Sequence, residues 1–587
     1  MKRNGCYYRL HSSVWLLSLC IICCSGSNGD DPDDTSGENQ PTITDITKLN
    51  TRATVIDSHK DDKNNLLELD FRRYVELQSS ELACAYPVYP RIKKLANGQY
   101  ILFYQDGQTG PNIYYTLSQN LLTWSVSKSF FTKYPHGSDT RVFATADAVV
   151  LQNGDILAVC CFRDNQGYYT RPWDSGLMLR RSSDNGMTWT PEEIIYQGSC
   201  WEPYLLQLPN GEVQVYFTDN DPTEGIHNSG SSIIRSYDNG QIWTPPIGQL
   251  PIRVVHQYTY TNDNGVKIFS GQMVSARLLH DNQTIAIVCE ARLNYAGSEY
   301  RISYCNSTDN WATSIGQNEE GPVNHQWNVF VGAAPYLSLF PSGESVLSYN
   351  ANVNTLDGRF ILLMGGSTAD DFDHDVMNIP FPNAPSFWGC TDLDDSHTLA
   401  VACPRVITSG TKGSILVGKM VLNHRINIPQ KTIMVDGDNT DWTANTDAFF
   451  LGSDSHSQAV FRLAHDTNNT YLLIERLDEA LTTDDAFTIM LNNGEKTLKF
   501  KVKYDASTKT LVADNNGVTC KAGLSGVFND GQHDTGFVAE LAIPTSLIDA
   551  KNSRLMFNAV LHDKNINDGF NGLTESAPAK WLPVVFD

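Results

Sequence analysis

The chain has 587 residues, of which 41% are hydrophobic and 19% charged, and its formal net charge is −23. This length exceeds what a single hydrophobic core supports, so at least two domains are predicted. The excess of acidic residues argues against a nucleic-acid partner, because phosphate binding requires clustered Lys and Arg.

Residues 1–24 have the features of a bacterial export signal. Lys2 and Arg3 supply positive charge, and the apolar stretch Val14–Ile22 is shorter than the ~20 residues that a membrane-spanning helix needs. The stretch ends in the sequence CCSG, which resembles a bacterial lipoprotein cleavage site and implies acylation of Cys24 or Cys23. An ordinary cleaved signal peptide is the alternative.

Residues 25–60 are rich in acidic and polar side chains and are predicted to form a disordered linker. An acidic stretch after a lipid-bearing cysteine resembles the surface-export signals of Bacteroidetes lipoproteins. We therefore expect an exported protein, anchored by lipid at the bacterial cell surface or at the periplasmic face of the outer membrane. Thirteen cysteines include four in the leader, and the other nine lack metal-like spacing, so no metal and no cofactor is predicted.

A hairpin pattern, in which two apolar strands flank a tight turn, occurs six times in the middle of the chain. Asn-Gly between alternating apolar residues is the strongest short-range signal of a β-hairpin. Units of this length have room for four strands each, so six of them predict a six-bladed β-propeller over residues 61–425. The copies are Arg91–Asp106, Asp147–Arg163, Tyr204–Asp219, Ala276–Arg292, Tyr336–Asn350 and Thr391–Cys403.

A second repeat agrees with a propeller. The sequences SSDNGMTW (182–189) and SYDNGQIW (236–243) fit S-x-D-x-G-x-x-W and resemble the Asp-box of sialidase-like propellers. The roles of these residues are structural, because Asp closes the turn, Gly adopts a positive φ and Trp packs between strands. We interpret them as fold markers and not as site residues.

After Asn423 the pattern changes, and residues 426–587 are predicted to form a second all-β domain. Its opening sequence TIMVDGDNTDWTAN (432–445) resembles the start of family 9-like carbohydrate-binding modules, which are β-sandwiches. The resemblance implies a sandwich that binds carbohydrate. A sandwich that only packs on the propeller is the alternative.

Ionisable residues stand at one end of four hairpins. The first strand of each hairpin starts, and the second ends, on the face opposite the turn, so these residues are predicted to collect on one rim. A charged rim around a central pit is typical of a glycosidase. The residues are Arg91, Asp106, Asp147, Arg163, Glu202, Asp219, Glu290 and Arg292.

Aromatic residues follow one of these strand ends. Tyr168 and Trp173 come shortly after Arg163, so the loop that holds them should emerge on the same face. Aromatic rings suit the C–H surfaces of sugars, and both side chains are predicted to bind substrate. Packing between blades is the alternative.

Two glutamates on this rim suit the two carboxyl groups that glycoside hydrolysis usually requires. Glu202 lies between Trp201 and Pro203, where partial burial would raise its pKa and retain a proton. Glu290 ends an apolar strand, and Arg292 two residues later would keep it ionised, as a nucleophile requires.

Three runs of sequence resemble the family 93 glycoside hydrolases: YPRIKKLANG (89–98), CWEPYLLQLPNGEVQVYFTD (200–219) and IAIVCEAR (285–292). Members of that family are exo-acting α-L-arabinanases on a six-bladed sialidase-like propeller. The resemblance implies cleavage from the non-reducing end with retention of configuration. It also implies that Glu202 is the acid/base and Glu290 the nucleophile. We expect a monomer acting on an oligo- or polysaccharide.

A sialidase or related ulosonic-acid hydrolase is the main alternative. Arg91 matches the first of three arginines that bind the substrate carboxylate in such enzymes, with Asp147 or Asp139 as the acid. The stretch Val329–Tyr349 contains no arginine, and Tyr349 would be a nucleophile without a clear partner, which favours the arabinanase-like reading. A propeller that binds glycan without cleaving it is a further alternative.

Overall fold

The structure is a computed structural model that describes most of residues 67–586. Outside the described residues lie 1–66, 108–111, 167–170, 220–229, 257–258, 262–266, 270, 292–299, 316–330, 352–357, 373–376, 382–385, 387, 424, 443–446, 455–456, 551–553, 565, 571–577, 579–580 and 587. The export signal with Cys24 and the predicted site residues Tyr168 and Arg292 therefore lie outside them. None of the helices in the described part is long and apolar enough to cross a membrane.

Six antiparallel sheets form the blades of a propeller, as predicted. Two short strands, β1 (Leu67–Leu69) and β2 (Val75–Leu77), flank a 3-10 helix (Phe71–Arg73). Blade one contains β3 (Pro87–Lys94), β4 (Tyr100–Asp106), β5 (Ile113–Ser118) and β6 (Lys128–Phe131). Blade two contains β7 (Tyr134–His136), β8 (Asp139–Val150), β9 (Ile156–Asp164), β10 (Ser175–Ser182) and β11 (Glu193–Gln197), with a second 3-10 helix (Pro172–Asp174) before β10.

Blade three contains β12 (Cys200–Gln207), β13 (Val213–Asp219), β14 (Gly230–Ser236) and β15 (Ile252–His256), and a small hairpin of β16 (Thr259–Thr261) and β17 (Lys267–Phe269) follows. Blade four contains β18 (Gln272–Leu278), β19 (Ile285–Ala291) and β20 (Arg301–Ser307). Blade five contains β21 (Gly332–Leu339), β22 (Ser345–Ala351), β23 (Arg359–Gly365) and β24 (Met377–Asn378). Blade six contains β25 (Cys390–Leu393), β26 (Thr398–Thr408) and β27 (Lys412–Leu422).

The N-terminal strands close the propeller. Both β1 and β2 pair antiparallel with β27, the last strand of blade six. The first and last parts of the propeller segment therefore share one blade, and backbone hydrogen bonds hold the ring closed. The six hairpins predicted from the sequence are the first two strands of each blade, except in blade two, where they are β8 and β9.

A β-bulge recurs in the innermost strands, which contact one another in a ring. In β3, β8, β12, β18 and β21 the pairing with the second strand shifts register. A non-glycine residue with φ between 49° and 60° lies at each of these places, and another precedes β25. Such a φ is unfavourable for residues with a Cβ and re-aims the side chain. These bulge residues are Tyr89, Thr145, Glu202, Met273, Ala334 and Trp388.

The Asp-box residues have the structural roles predicted for them. In the box at 182–189, the Ser182 hydroxyl donates to Asp184 and accepts the N–H of Gly186. The Asp184 carboxylate accepts two hydrogen bonds from Thr188, which close the turn and hold the pKa of Asp184 at about 2. In the other box Trp243 is buried between strands.

The C-terminal part is a β-sandwich of two sheets. One sheet has seven strands: β28 (Ile426–Ile428), β32 (Ala486–Asn492), β33 (Thr497–Asp505), β34 (Thr510–Ala513), β37 (Arg554–Asp563), β38 (Ile566–Gly569) and β39 (Leu582–Phe586). The other has five: β29 (Phe449–Asp454), β30 (Ser457–His465), β31 (Asn469–Asp478), β35 (Thr519–Leu524) and β36 (Phe537–Pro544). The apolar core of the sandwich is continuous with buried residues of blades five and six, such as Phe340 and Leu416.

The VDG…DW motif at the start of the sandwich anchors the fold. The indole N–H of Trp442 donates to the Glu540 carboxylate at 2.7 Å, and the N–H groups of Asp436 and Gly437 donate to the same carboxylate. Gly437 has a φ of 92°, and a Cβ there would lie 2.8 Å from the backbone of Ala522. The Trp442 ring is buried.

Candidate active site

The bulges of the inner strands surround a small cavity at the centre of the propeller. Bulge residues from blades two, three and four line it, together with residues that immediately follow the bulges. The lining residues are Arg91, Thr145, Ala146, Asp147, Glu202, Pro203, Tyr204, Met273, Val274, Pro335 and Tyr336. One predicted catalytic residue, Glu202, is among them.

Glu202 is the bulge residue of blade three, with a φ of 54°. Its N–H donates to the hydroxyl of Thr145 at 3.2 Å, and its Oε2 accepts a hydrogen bond from the hydroxyl of Thr218 at 3.3 Å. Burial and the charge of Glu290 raise the pKa of Glu202 to about 8, against the opposing effects of Thr218 and Arg91. Glu202 is therefore protonated at neutral pH, as a general acid requires.

Glu290 lies close enough for its charge to act on Glu202. It is on β19, opposite Gln272, and its side chain is 8% exposed. Its Oε1 accepts the backbone N–H of Ala334 in the next blade, at 2.6 Å. The structure thus brings together the two glutamates that the sequence analysis selected.

The contact between Glu290 and Ala334 belongs to a series. In four blades, a side chain on the second strand accepts the N–H of the bulge residue in the following blade. We call these four side chains the inter-blade acceptors. They are Gln105 for Thr145, Thr218 for Met273, Glu290 for Ala334 and Asn350 for Trp388. Glu290 is the only carboxylate of the four. At the equivalent position the other three blades have an amide or a hydroxyl side chain.

Tyr89 and Trp388 form an aromatic wall that the sequence analysis missed. Their rings stack with centroids 4.5 Å apart, and the Arg91 guanidinium lies 5.8 Å from the centre of the Tyr89 ring. Burial, followed by the charges of Glu202 and Glu290, raises the pKa of Tyr89 well above its usual value. Tyr89 is therefore a neutral hydrogen-bond donor beside the two carboxyl groups.

The sequence contained one signal for these bulges. Proline follows the bulge residue at Tyr89, Glu202 and Ala334, and proline inside an inner strand is tolerated where pairing is interrupted. Trp388 carries no such signal, because Gly389 follows it.

Arg91 is buried at the cavity wall, as a member of the predicted rim. Its Nη1 donates to the carbonyl groups of Pro90 and Trp388, at 2.7 and 3.0 Å. Its guanidinium also lies 5.5 Å from the centre of the Tyr336 ring. The positive charge of Arg91 is one of the two influences that keep the pKa of Glu202 from rising further.

Asp147 lines the cavity but is 1% exposed, with both carboxylate oxygens in contact with other side chains. Lys93 Nζ lies 3.3 Å from Oδ1, and the Tyr336 hydroxyl donates to Oδ2 at 3.1 Å. That Asp147 binds substrate stays a prediction, since its oxygens are held in a buried ion pair and a hydrogen bond in the absence of substrate.

Two further residues of the predicted rim, Asp219 and Asp106, are buried. Asp219 is 0% exposed, and its Oδ2 lies 3.2 Å from the Arg253 guanidinium and accepts from Ser232. Asp106 is buried at the end of β4, opposite Pro87. That both residues bind substrate stays a prediction.

Arg163 and Trp173 lie outside the cavity lining. The Arg163 guanidinium lies 4.5 Å from the centre of the ring of Trp201, the neighbour of Glu202. Trp173 is on the second 3-10 helix and is 59% exposed, which fits an accessible aromatic surface.

No protein-family model and no curated protein matches the chain. It is similar to the GH93 α-L-arabinofuranosidase of Fusarium graminearum in complex with arabinobiose, at 14% identity and a TM-score of 0.42, covering 61% of this chain and 99% of that one. It is also similar to the α-L-arabinanase of Penicillium chrysogenum complexed with arabinobiose, at 15% identity and a TM-score of 0.39, covering 59% of this chain and 97% of that one. The Hadza microbial sialidase Hz136 is similar at 15% identity and a TM-score of 0.41, covering 57% of this chain and 66% of that one. Because these identities are low, the assignment of a function has to rest on the residues of this chain.

Two of the residues named for the sialidase alternative, Tyr349 and Asp139, are poorly suited to the roles of nucleophile and acid. Tyr349 is 0% exposed inside blade five. Desolvation raises the pKa of Asp139, but hydrogen bonds from Thr140 and Gln166 and the charge of Arg171 outweigh it, so that this pKa is lowered. An acid with a lowered pKa holds no proton at neutral pH.

One group of possible metal ligands occurs among the described residues, formed by His136, Asp164 and Asp174. Arginines already hold its carboxylates: Arg141 Nε lies 3.0 Å from Asp164, and Arg171 Nε lies 2.6 Å from Asp174. Both carboxylates of this group are therefore engaged in ion pairs.

Proposed function

We propose that the protein is a glycoside hydrolase in which Glu202 is the general acid/base and Glu290 the nucleophile. The observation that carries the proposal is a buried glutamate at the cavity, Glu202, with the charge of a second glutamate, Glu290, acting on it. The pKa of Glu202 is raised to about 8, and the neighbouring charge of Glu290 is one cause of that shift. The reaction requires one carboxyl that keeps its proton, which suits Glu202, beside a second carboxyl, which we assign to Glu290.

The proposed reaction has two steps. Glu202 donates its proton to the glycosidic oxygen while Glu290 attacks the anomeric carbon, so that the leaving sugar departs and a glycosyl ester of Glu290 forms. Glu202, now ionised, removes a proton from water, which attacks the anomeric carbon and releases Glu290. Each step inverts the configuration of the anomeric carbon, so the product retains the configuration of the substrate.

We propose an α-L-arabinofuranosyl oligosaccharide, cleaved from its non-reducing end, as the substrate. A neutral sugar suits the pit, because Arg91 is the only arginine among the described residues that line it, and its Nη1 already donates to two backbone carbonyls. A sialidase would need several arginines for the substrate carboxylate. The stacked Tyr89 and Trp388 offer an aromatic wall to a sugar ring.

The test is product analysis with the purified protein on debranched arabinan, α-1,5-arabino-oligosaccharides and sialyl-lactose. We expect a short arabinan product, whose anomeric configuration, followed by NMR from the first seconds, is that of the substrate. Release of sialic acid from sialyl-lactose would show a sialidase and overturn the proposal of an arabinan substrate. Binding without turnover on every sugar would show a glycan-binding propeller instead.

We further propose that the protein is exported and anchored through a lipid on Cys24 or Cys23. The cysteines follow a short apolar stretch and precede an acidic one, as in bacterial lipoproteins. Replacing both with Ser is expected to release the protein from the membrane fraction, measured by immunoblotting of fractionated cells. A mutant that stays with the membranes would overturn the proposal of a lipid anchor on these cysteines. Release of a cleaved wild-type protein would indicate an ordinary signal peptide.

A further inference from the structure

We propose that Thr218 is a positioning residue that holds the acidic proton of Glu202 on Oε1 and stabilises the carboxylate formed when that proton leaves. This inference rests on the proposed function. Thr218 is fully buried on β13, opposite Trp201. Its hydroxyl contacts both Glu202 and the backbone of the next blade.

The hydroxyl of Thr218 has two hydrogen-bond partners. The backbone N–H of Met273 donates to Oγ1 at 2.8 Å, while Oγ1 lies 3.3 Å from Oε2 of Glu202. A hydroxyl has one proton to donate. Met273 can only donate and fills one of the two lone pairs of Oγ1, while the Thr218 hydroxyl donates its proton to Oε2 of Glu202.

This direction determines which oxygen of Glu202 is acidic. A protonated carboxyl accepts hydrogen bonds best at its carbonyl oxygen, so a bond donated to Oε2 leaves the proton on Oε1. When Oε1 gives that proton to the glycosidic oxygen, the carboxyl becomes a carboxylate. The bond from Thr218 then becomes a charge-assisted one and strengthens. A contact that is stronger in the transition state than in the ground state accelerates the reaction.

Thr218 differs from the other inter-blade acceptors in its chemistry. Gln105 and Asn350 accept the N–H of the next blade through an amide oxygen, which has no proton to pass on. In Thr218 a single oxygen both accepts from Met273 and donates to Glu202. The contact that joins blades three and four therefore also orients the acid.

The test compares Thr218→Val with Thr218→Ser. The hydrogen bond from Thr218 lowers the pKa of Glu202, so its loss in Thr218→Val should move the alkaline limb of kcat/KM upward by about one pH unit. On arabino-oligosaccharides, whose leaving groups are poor, kcat should fall about tenfold. On aryl arabinosides with good leaving groups it should change little. Thr218→Ser, which keeps the hydroxyl, should restore both properties.

The matched control is Thr116→Val, which removes another buried hydroxyl, one that donates to Ser125 at 2.6 Å in blade one. It should leave the pH profile in place. If Thr218→Val does not fold, Thr218→Cys replaces it, and its weakly donating thiol should give a smaller shift in the same direction.

The outcomes separate the two proposals. An inactive wild-type protein, or a Glu202→Gln variant with full activity, would overturn the proposed function itself. An active wild type, with a Thr218→Val profile and leaving-group dependence equal to those of Thr116→Val, would overturn only the role of Thr218.

Discussion

Replacing Glu290 with Gln is expected to abolish turnover on every glycoside. The amide cannot form the glycosyl ester, so both poor and good leaving groups should be affected alike. We expect kcat to fall by at least about a thousandfold, or about 4 kcal/mol in the barrier. The measurement is the steady-state rate on an arabino-oligosaccharide and on an aryl arabinoside.

Gln is chosen because Glu290 has a structural contact as well as a chemical role. Its Oε1 accepts the N–H of Ala334, and the amide oxygen of Gln preserves that acceptor. Thermal unfolding should therefore change little, which separates lost chemistry from lost folding. Glu193→Gln, at an exposed position of β11, is the control for the substitution.

A second variant tests the role of Glu290 as a nucleophile. Glu290→Ala leaves space beside the anomeric carbon, and added azide should restore turnover by attacking from the vacated side. The product should be a glycosyl azide with inverted configuration. If Glu290→Gln keeps more than about a tenth of the wild-type rate, a change under ~1.4 kcal/mol, Glu290 is not the nucleophile.

The fold could be predicted from the sequence because its signals are local. Asn-Gly turns between alternating apolar residues determine a hairpin within about twenty residues, and repetition supplied the blade number. The closure by β1 and β2 was not predicted, since these strands are three residues long and pair with β27 across most of the chain.

The site could be predicted only in part. Glu202 and Glu290 were selected because they stand next to aromatic or apolar residues at strand ends, and the structure places them close enough for the charge of Glu290 to act on Glu202. Asp147 and Asp219 were selected by the same strand-end rule, yet they are buried in ion pairs with Lys93 and Arg253. The rule assumes regular strands, and the bulges break that assumption by shifting the register of the inner strands near the pit.

The aromatic wall of Tyr89 and Trp388 also could not be predicted from local sequence patterns. The two residues are separated by most of the propeller in sequence and meet because blade six closes on blade one. No local pattern records such a contact. The bulge series of one residue in each blade becomes recognisable once backbone φ values are known.

Replacing Glu202 with Gln is expected to impair the enzyme in a way that depends on the leaving group. Gln cannot donate a proton, so the rate should fall at least about a hundredfold on arabino-oligosaccharides and much less on aryl arabinosides with good leaving groups. In the wild type, kcat/KM should decline as the pH rises above about 8, where Glu202 loses its proton. The alkaline limb should be absent from the variant. An equal loss on both substrates, or an alkaline limb unchanged in the variant, would exclude Glu202 as the acid.

The same substitution should stabilise the protein in alkali. The pKa of Glu202 is about 8 when folded, against 4.5 as the ordinary value, so the folded state binds this proton more tightly than the unfolded state. The contribution of Glu202 to stability is therefore full below about pH 4.5 and is lost as the pH rises to about 8. Gln carries no charge and avoids that loss. The melting temperature of Glu202→Gln should match the wild type at pH 5 and exceed it at pH 9, in calorimetry at both pH values. Equal melting temperatures at pH 9 would show that the folded protein does not shift this carboxyl, and that Glu202 lacks the environment of an acid.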